Sequence, residues 1–561
     1  MKKNLRLAIA QINCTIGDLD GNSAKIIEYA KKAEDLGADI VSFPELAITG
    51  YPPEDLLLKS KFIEDNIECL KRTTRKVGDI ACVVGFVDKK AKDIYNAAAV
   101  IYQGKVRGTC QKIFLPNYGV FDEKRYFTAG TNACVFKLGN IVFGVNICED
   151  IWHADGPTEE QASSGAKLII NINASPYYAG KIRQREKVVR DDARANDLFI
   201  SYTNMVGGQD ELVFDGQSMV VDNAGSVINR ASAFKEDLLI TDVAIPVGKM
   251  RQAQKSAVLV SNNLPVKDRP QAPKRETESL DETAEVYEAL LLGLKDYVRK
   301  NSFAKVVMGL SGGIDSALVA VLASDALGKE NVAGIFMSTH YSSEQSGLDA
   351  KRLAENLGIG FIELSIEQIF KLYLMTLEPK FSGLEKNITE ENIQARIRGN
   401  FLMAFSNKFG WLVLTTGNKS EMSTGYATLY GDMAGGFAVI KDVPKTLVYK
   451  LAKYRNSVGK AIPESIIDRE PTAELKSGQK DSDTLPPYEM LDRILKAYIE
   501  EDRGLNEIIK MGFDKPTVVK VIRMVDSSEY KRRQSPPGIK ITPKAFGRDR
   551  RMPITNKYSY I

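Results

Sequence analysis

A two-domain α/β fold is predicted by three observations. Short apolar runs alternate with helical or turn-rich stretches through the first half, strand and helix signals alternate again through the second, and one proline-rich segment of alternating charge divides them. That segment runs from Ser261 to Ser279, SNNLPVKDRPQAPKRETES, and its three prolines and few apolar residues read as an exposed connector. The predicted domains are therefore residues 1–260 and 281–561, with the connector at 261–280. At 561 residues, 44% hydrophobic and 26% charged, the composition is ordinary for globular proteins, which excludes disorder, collagen and small disulfide scaffolds.

In the first half the predicted strands are LRLAIAQIN, ADIVSFPEL, IACVVGFVD, IVFGVNIC and AKLIININAS. Several end in polar residues, and in open α/β architectures the carboxyl ends of strands present reactive side chains to a cleft. The second half opens with DETAEVYEALLLGLKDYVRK, where Val286, Leu290, Leu294, Tyr297 and Val298 keep helical spacing, with acids early and bases late as the helix dipole favours. There follow the strand KVVMGL, a glycine turn, the helix DSALVAVLASDALG, the strand VAGIFM, a helix around Gly347 to Asn356 and the strand FIELSI. This alternation predicts a parallel sheet with crossover helices.

Lysine plus arginine number 76 against 72 acidic residues, so the formal charge of +4 points to no polyanionic partner. The six cysteines, Cys14, Cys69, Cys82, Cys110, Cys134 and Cys148, lack the spacing of a disulfide framework or a zinc site and read as free thiols of a reducing compartment. The N-terminal apolar run is too short for a signal peptide, and no stretch approaches the roughly 18 apolar residues of a membrane span. A cytoplasmic protein without membrane or nucleic-acid partners is the expectation. The basic tail, with Lys531, Arg532, Arg533, Lys540, Lys544, Arg548, Arg550 and Arg551, is interleaved with prolines and reads as making phosphate or carboxylate contacts within the protein or its oligomer.

Segments in both halves carry chemistry. The first to consider is Gly309-Leu310-Ser311-Gly312-Gly313-Ile314-Asp315-Ser316, between an apolar strand and a helix. Its glycines allow close backbone approach, the helix start offers free N–H groups, and the hydroxyls of Ser311 and Ser316 add donors, so an anion such as phosphate fits. No lysine follows the glycines, so this is not the P-loop of kinases and GTPases.

The SGGIDS context resembles the PP-loop ATP pyrophosphatases, which split ATP between the α- and β-phosphates and adenylate a substrate. That resemblance implies a Rossmann-like parallel sheet, a grip on pyrophosphate and Mg2+ held in part by Asp315. The stretch ENIQARIRGNFLMAFSNKFGWLVLTTGNKSEMSTGYATLYGDMAGGF, PTAEL at 471–475, YKRRQSPPG at 530–538 and the tail KAFGRDRRMPITN are similar to NAD synthetases. By position within those motifs, the resemblance implies Thr416, Lys445 and Thr472 for ATP. It implies Asn392, Glu421 and Lys531 for deamido-NAD, and Glu421 as the magnesium partner of Asp315.

In the first half, Ser42-Phe43-Pro44-Glu45-Leu46, Gln111 to Tyr118 and Gly144 to Asp150 stand out, with Glu45 and Cys148 each ending an apolar strand and Lys112 opening a run toward Leu115 and Pro116. A cysteine attacks as thiolate, which a nearby ammonium favours, while a carboxylate can shuttle the proton. Cys148, Lys112 and Glu45 supply that set; a Cys148–His153 pair is the alternative, because His153 and His340 are the chain's two histidines. Cys14, on the first strand, and Cys82 fit core packing. FPEL, the lysine before LPNYGVFDEKRYF, and NICEDIW are similar to the nitrilase, or carbon-nitrogen hydrolase, superfamily. This implies an αββα sandwich with Glu45, Lys112 and Cys148 as its triad. Within NAD synthetases carrying such a domain, it implies Tyr118, Ser175 and Lys181 as glutamine contacts. The role of Glu123 stays open, with a second proton-transfer carboxylate as one reading.

Together the motifs resemble the glutamine-dependent NAD synthetases over all but the connector. The resemblance implies ammonia release from glutamine in the first domain and ATP-dependent amidation of deamido-NAD in the second, through an adenylate and with AMP and pyrophosphate as products. It also implies homo-oligomers, with dimerising synthetase domains and octamers in several members. Passage of ammonia between the sites is the expectation that the two-site logic and the family resemblance suggest. Three rivals stay in view: a PP-loop ligase for another carboxylate, a plain amidase whose second domain senses adenine nucleotide, and a noncatalytic scaffold.

Overall fold

The computed structural model describes residues 2–246, 257–273, 275 and 280–558. The chain forms two compact units, one of residues 1–209 and 213–279 and the other of residues 210–212 and 280–561.

The first unit is built on the two-residue period of its strands. In Lys2–Gln11, Leu5, Leu7 and Ile9 face one way and Ala8 and Ala10 the other, and both faces are buried. Six strands form one sheet in the order Asp237–Pro246, Lys2–Gln11, Ile40–Ser42, Ala81–Lys90, Asp93–Tyr102 and Lys105–Gln111. Seven form the other, in the order Val227–Arg230, Met219–Val221, Phe199–Asn204, Leu168–Asn173, Ile141–Ile147, Cys134–Leu138 and Val258–Ser261. Leu5, Leu7 and Ile9 meet Phe143, Val145, Ile147 and Ile170 in a core shared by the two inner faces. On the outer face of the first sheet, Ala8, Ala10 and Val41 pack on Ile26 and Ala30 of helix Leu19–Asp35 and on Cys69 and Leu70 of helix Ser60–Thr74. Ile169 and Ile200 of the second sheet pack outward on Val189 and Ala193 of helix Lys181–Asn196. The result is an αββα sandwich, and a one-residue slip of Lys2–Gln11 would exchange its leucine face for its alanine face.

The sequence reading missed the strands Asp93–Tyr102, Lys105–Gln111 and Phe199–Asn204, although Gln103-Gly104, both at positive φ, joins the first two and Asn196-Asp197 precedes the third. Cys14 lies beyond the end of its strand at Gln11, although it is buried as core packing requires. Past the strand Val258–Ser261, the segment read as a connector is largely exposed yet anchored along the first unit. Lys267 Nζ donates to the Ala38 carbonyl (2.6 Å), Arg269 pairs with Asp39 (2.7 Å), and Arg275 pairs with Asp237.

The second unit holds an all-parallel sheet in the order Gly360–Ser365, Val332–Ser338, Val306–Gly309, Leu412–Thr415 and Phe437–Ala438. From Val306–Gly309 the chain first winds to one side and then returns to the other, so the strand order reverses beside it and opens a crevice at the carboxyl ends. Helix Glu282–Lys300 is capped by Asp281, whose carboxylate accepts from the N–H groups of Thr283 and Ala284 (2.9 Å each), and it packs Leu290 and Leu294 inward. Helix Ile314–Leu327 is buried on every side from Ser316 to Ala323, which explains why it has no polar face. Helices Tyr488–Leu495 and Lys515–Ser527 form a second core from Leu491, Ile494, Val518, Val521 and Val525, and Met422 of helix Lys419–Thr424 inserts into it. Basic side chains of the tail pair with carboxylates of the same unit: Arg532 and Arg550 with Glu529 (2.9 Å each), Lys540 with Asp549 (2.5 Å) and Lys544 with Asp502 (2.6 Å). Among the described residues no helix is long and apolar enough to cross a membrane.

Candidate active sites

In the first unit, three strand ends converge. Cys148 follows Ile147 directly, Lys112 follows Gln111, and Glu45 lies three residues beyond Ser42. Cys148 opens the short 3-10 helix Cys148–Trp152 with φ +47°, a left-handed conformation that costs a non-glycine residue about 1–3 kcal/mol. Lys112 Nζ donates to Glu45 Oε1 (2.7 Å) and Glu123 Oε1 (2.9 Å), with the lysine and Glu45 side chains wholly buried. Breaking such a pair strands a buried charge at a cost of about 3–5 kcal/mol.

Glu45 is held on both oxygens: Asn96 Nδ2 donates to Oε1 (2.7 Å) and the Ala174 N–H to Oε2 (2.9 Å). Burial pulls the Lys112 ammonium down, but Glu123 and Glu45 outweigh it and keep it charged. Burial, then Glu45, pushes the Cys148 thiol up, while Lys112 pulls it down. Burial and Glu45 together thus favour the neutral thiol over the thiolate.

Glu123 occupies the same cluster. Tyr51 Oη donates to its Oε1 (2.9 Å), its Oε2 has no partner among the described residues, and burial lifts its carboxyl to about 7 against Lys112. A carboxyl raised above its unfolded value binds its proton in the native state first, so its contribution is present at pH 4 and is lost as pH rises through about 7. The Tm of wild type is expected to fall between pH 5 and 8 by several degrees more than that of Glu123→Gln. Equal slopes in a pH series of thermal melts would remove this assignment.

The three residues implied as glutamine contacts surround the cluster. Tyr118 Oη donates to Glu149 (2.9 Å), Ser175 Oγ accepts from Arg185 Nε (3.1 Å), and Lys181 Nζ lies over the Trp152 ring (4.4 Å). Burial, then Arg185, lowers Lys181 to about 8, while Cys148 and Glu149 oppose the shift. His153 is turned elsewhere, stacked on Phe114 with centroids 4.0 Å apart and 3.6 Å from Glu149, so the Cys148–His153 alternative finds no support. Cys14 and Cys82 are buried as core residues, and burial holds the Cys82 thiol well up.

In the second unit a cavity of about 280 Å3 sits in the crevice beside Gly309 and Thr415. Gly309, Leu310, Ser311, Gly313, Ile314, Asp315 and Ser316 line it, as do Thr416, Glu421, Lys445 and Thr472. Gly312 has φ +80°, and a Cβ there would stand 2.4 Å from the Ser346 carbonyl oxygen, so this turn requires glycine. Ser311 and Ser316 hydroxyls lie 3.1 Å apart, and Gly313 at the start of helix Ile314–Leu327 provides no side-chain cap, which leaves N–H donors for an anion.

Lys445 Nζ bridges Asp315 Oδ2 (2.5 Å) and Glu421 Oε1 (3.5 Å). Burial, then Asp315, pushes Glu421 up to about 8 against Lys445; burial pulls Lys445 down, but Asp315 and Glu421 outweigh it. Asn418, which caps helix Lys419–Thr424, donates from Nδ2 to Asp315 Oδ1 (2.9 Å) and accepts from the Glu421 N–H (3.0 Å), fixing the two carboxylates together. Among the described residues no group of three or more His, Cys, Asp or Glu side chains is placed to hold a metal. Two hard carboxylates beside a phosphate cradle nonetheless fit Mg2+, which takes few protein ligands and completes its shell with water and phosphate.

Asn392 and Lys531 do not line this cavity. Asn392 Oδ1 accepts from Thr428 Oγ1 (2.7 Å), and Lys531 Nζ donates to the carbonyls of Gly425 (2.8 Å) and Ala427 (2.9 Å), so both brace the loop that carries the lining residue Asp432. Sequence reasoning also passed over Asn96, Asp150 and Asn418. Asn418 was legible in the N-x-x-E capping pattern ending at Glu421, and Asn96 as a polar interruption of the apolar run IYNAAAVIY.

Comparison with known proteins agrees with this division. Residues 6–253 match the carbon-nitrogen hydrolase family and residues 286–535 the NAD synthase family. The chain is 51% identical to the glutamine-dependent NAD(+) synthetase of Thermotoga maritima over 99% of both chains, and 47% identical to that of Aquifex aeolicus over 99% of this chain and 100% of the relative. The solved structure of glutamine-dependent NAD+ synthetase from Acinetobacter baumannii, in complex with ADP, matches with TM-score 0.75 and 43% identity over the whole of both chains. With a carbon-nitrogen hydrolase unit, a parallel-sheet NAD synthase unit and full-length identity of this order, the chain belongs to the glutamine-dependent NAD(+) synthetase family.

Proposed function

We propose that the enzyme amidates deamido-NAD to NAD, with glutamine as nitrogen donor and ATP as activating co-substrate, the last step in making the dinucleotide. The observation that carries this reading is the pairing, on one chain, of a buried carboxylate–ammonium–thiol cluster with a separate glycine-turn cavity holding a carboxylate pair.

In the first site, Glu45 takes the Cys148 proton and the sulfur attacks the side-chain carbonyl carbon of glutamine. The oxyanion that forms lies against the Lys112 ammonium, and Glu45 returns the proton to the departing nitrogen, releasing ammonia and leaving a thioester. Water, deprotonated by Glu45, then cleaves the thioester to glutamate and restores the thiol. Tyr118, Ser175 and Lys181 hold the amino acid portion of glutamine.

In the second site, the nicotinate carboxylate attacks the α-phosphate of ATP, giving an adenylate and pyrophosphate, and ammonia displaces AMP. The turn Gly309–Ser316 grips the pyrophosphate with N–H and hydroxyl donors, Lys445 and Thr416 hold ATP phosphates, and Thr472 contacts the nucleotide. Asp315 and Glu421 would hold Mg2+, which when bound neutralises phosphate charge. Asn392, Glu421 and Lys531 serve deamido-NAD, the first and last through the loop they brace.

The test is product analysis with wild-type enzyme, deamido-NAD, Mg-ATP and glutamine. AMP, pyrophosphate, glutamate and NAD are expected, with AMP and NAD in equal amounts. ADP and phosphate would overturn the adenylate step, and glutamate released without ATP turnover would favour an amidase with a nucleotide-sensing unit.

A further inference from the structure

We propose that Asp150 is the positioning residue that holds the Lys112 segment and the Cys148 turn in register for cleavage of glutamine; the proposal rests on the assignment of those two residues made above. Its side chain lies in a residue only 1% exposed. Its Oδ1 accepts from the N–H groups of Ile113 (3.1 Å) and Phe114 (2.9 Å), and its Oδ2 from the N–H of Ile147 (3.0 Å). Ile113 and Phe114 follow Lys112 in the chain, and Ile147 precedes Cys148. One carboxylate thus ties the peptide groups just after the ammonium to the peptide group just before the thiol.

Strand-end amides need an acceptor when buried, and a carboxylate, with two oxygens and acceptor capacity on each, can take all three as charge-assisted bonds. The left-handed backbone at Cys148, with φ +47°, persists only where its surroundings fix it, and the bond to Ile147 lies immediately beside it. A second tie runs parallel to the first, with the Phe114 ring stacked on His153 one turn beyond Asp150. The cost of losing the clamp is one of geometry: Lys112 and Cys148 stay in place chemically but lose their mutual alignment, and a misplacement near 1 Å can cost about 100-fold in rate.

Asp150→Asn tests this, because an amide has one acceptor atom where the carboxylate has two. If its oxygen serves Ile113 and Phe114, its NH2 faces the Ile147 N–H, and the reverse orientation frees the other side. The readout is the rate and stoichiometry of Cys148 alkylation by a diazoketone analogue of glutamine, with glutamine hydrolysis and ammonium-dependent NAD formation measured alongside. The variant is expected to label one site per chain, as wild type does, but about 10- to 100-fold more slowly. Its kcat for glutamine hydrolysis should fall by the same factor, with KM within about threefold and ammonium-dependent activity within about twofold. Asp150→Glu, which keeps the charge but sets the carboxylate one methylene too far, is expected to lie between the two and supplies the same readout should the Asn variant fold poorly. Wild-type labelling rate in both variants would overturn the proposal. So would substoichiometric labelling at the wild-type rate, which marks a purely structural role. Persistent labelling of the chain after Cys148→Ala would instead overturn the assignment of the thiol, and with it this inference.

Discussion

Cys148→Ala is expected to reduce glutamine-dependent NAD formation by about four to six orders of magnitude, to background, because it removes the atom proposed to form the thioester. Ammonium-dependent formation in the same preparation should stay within about twofold of wild type, since Cys148 is not among the residues that line the cavity of the second unit. Alanine is the right replacement on structural grounds. It keeps a Cβ at φ +47°, so the strained turn is retained and the loss is chemical, whereas Cys148→Gly would relieve the strain and is expected to melt no lower than Cys148→Ala. The assay compares glutamate release and NAD formation with glutamine and with ammonium chloride. Retained glutamate release by Cys148→Ala would move the nucleophile elsewhere, and parallel loss with both donors would show that the variant had damaged more than the first site.

Glu45, Lys112 and Cys148 were legible through the local motifs around them, although Cys148 alone directly follows a strand that the sequence pattern had marked, Ile141–Ile147. FPEL, the run from Lys112 to Leu115 and NICEDIW could each be read locally. What holds those residues was less visible. Asn96 and Ala174 each act through one hydrogen bond to Glu45, and Asp150 through three to backbone N–H groups, contacts that no periodicity encodes. The strand Lys105–Gln111, which delivers Lys112, carries too many polar residues to announce itself, being an edge strand exposed at Lys105 and Val106. In the second unit the parallel sheet and the glycine turn followed from pattern, while the positive φ that makes Gly312 obligatory shows only in the structure. The hydrogen bonds of Asn392 and Lys531 to the loop 425–428 depend on tertiary placement that their motifs do not encode.

Lys445→Ala is expected to cut NAD formation by about 100- to 1000-fold with ammonium as donor, the scale seen when one preorganised stabiliser of transition-state charge is lost. The side chain is 2% exposed and its ammonium is shared between Asp315 and Glu421. Alanine removes the only cation contacting this pair among the described residues, so two carboxylates are left facing one another, and like charges at this range cannot both ionise freely. Glu421, already pushed up to about 8 by burial and Asp315, should rise further once Lys445 no longer opposes the shift. Because its folded-state value is raised, its contribution to stability is complete below the ordinary carboxylate range and is lost as pH rises through the folded value. In wild type that loss ends near pH 8; in the variant it continues above it. The difference in Tm between wild type and Lys445→Ala should therefore be larger at pH 9 than at pH 6, while activity falls at both. A gap in Tm that is the same at both pH values would mean that Lys445 does not set the Glu421 proton. Unchanged ammonium-dependent activity would remove Lys445 from the phosphate site and leave it the structural task of separating two buried acids.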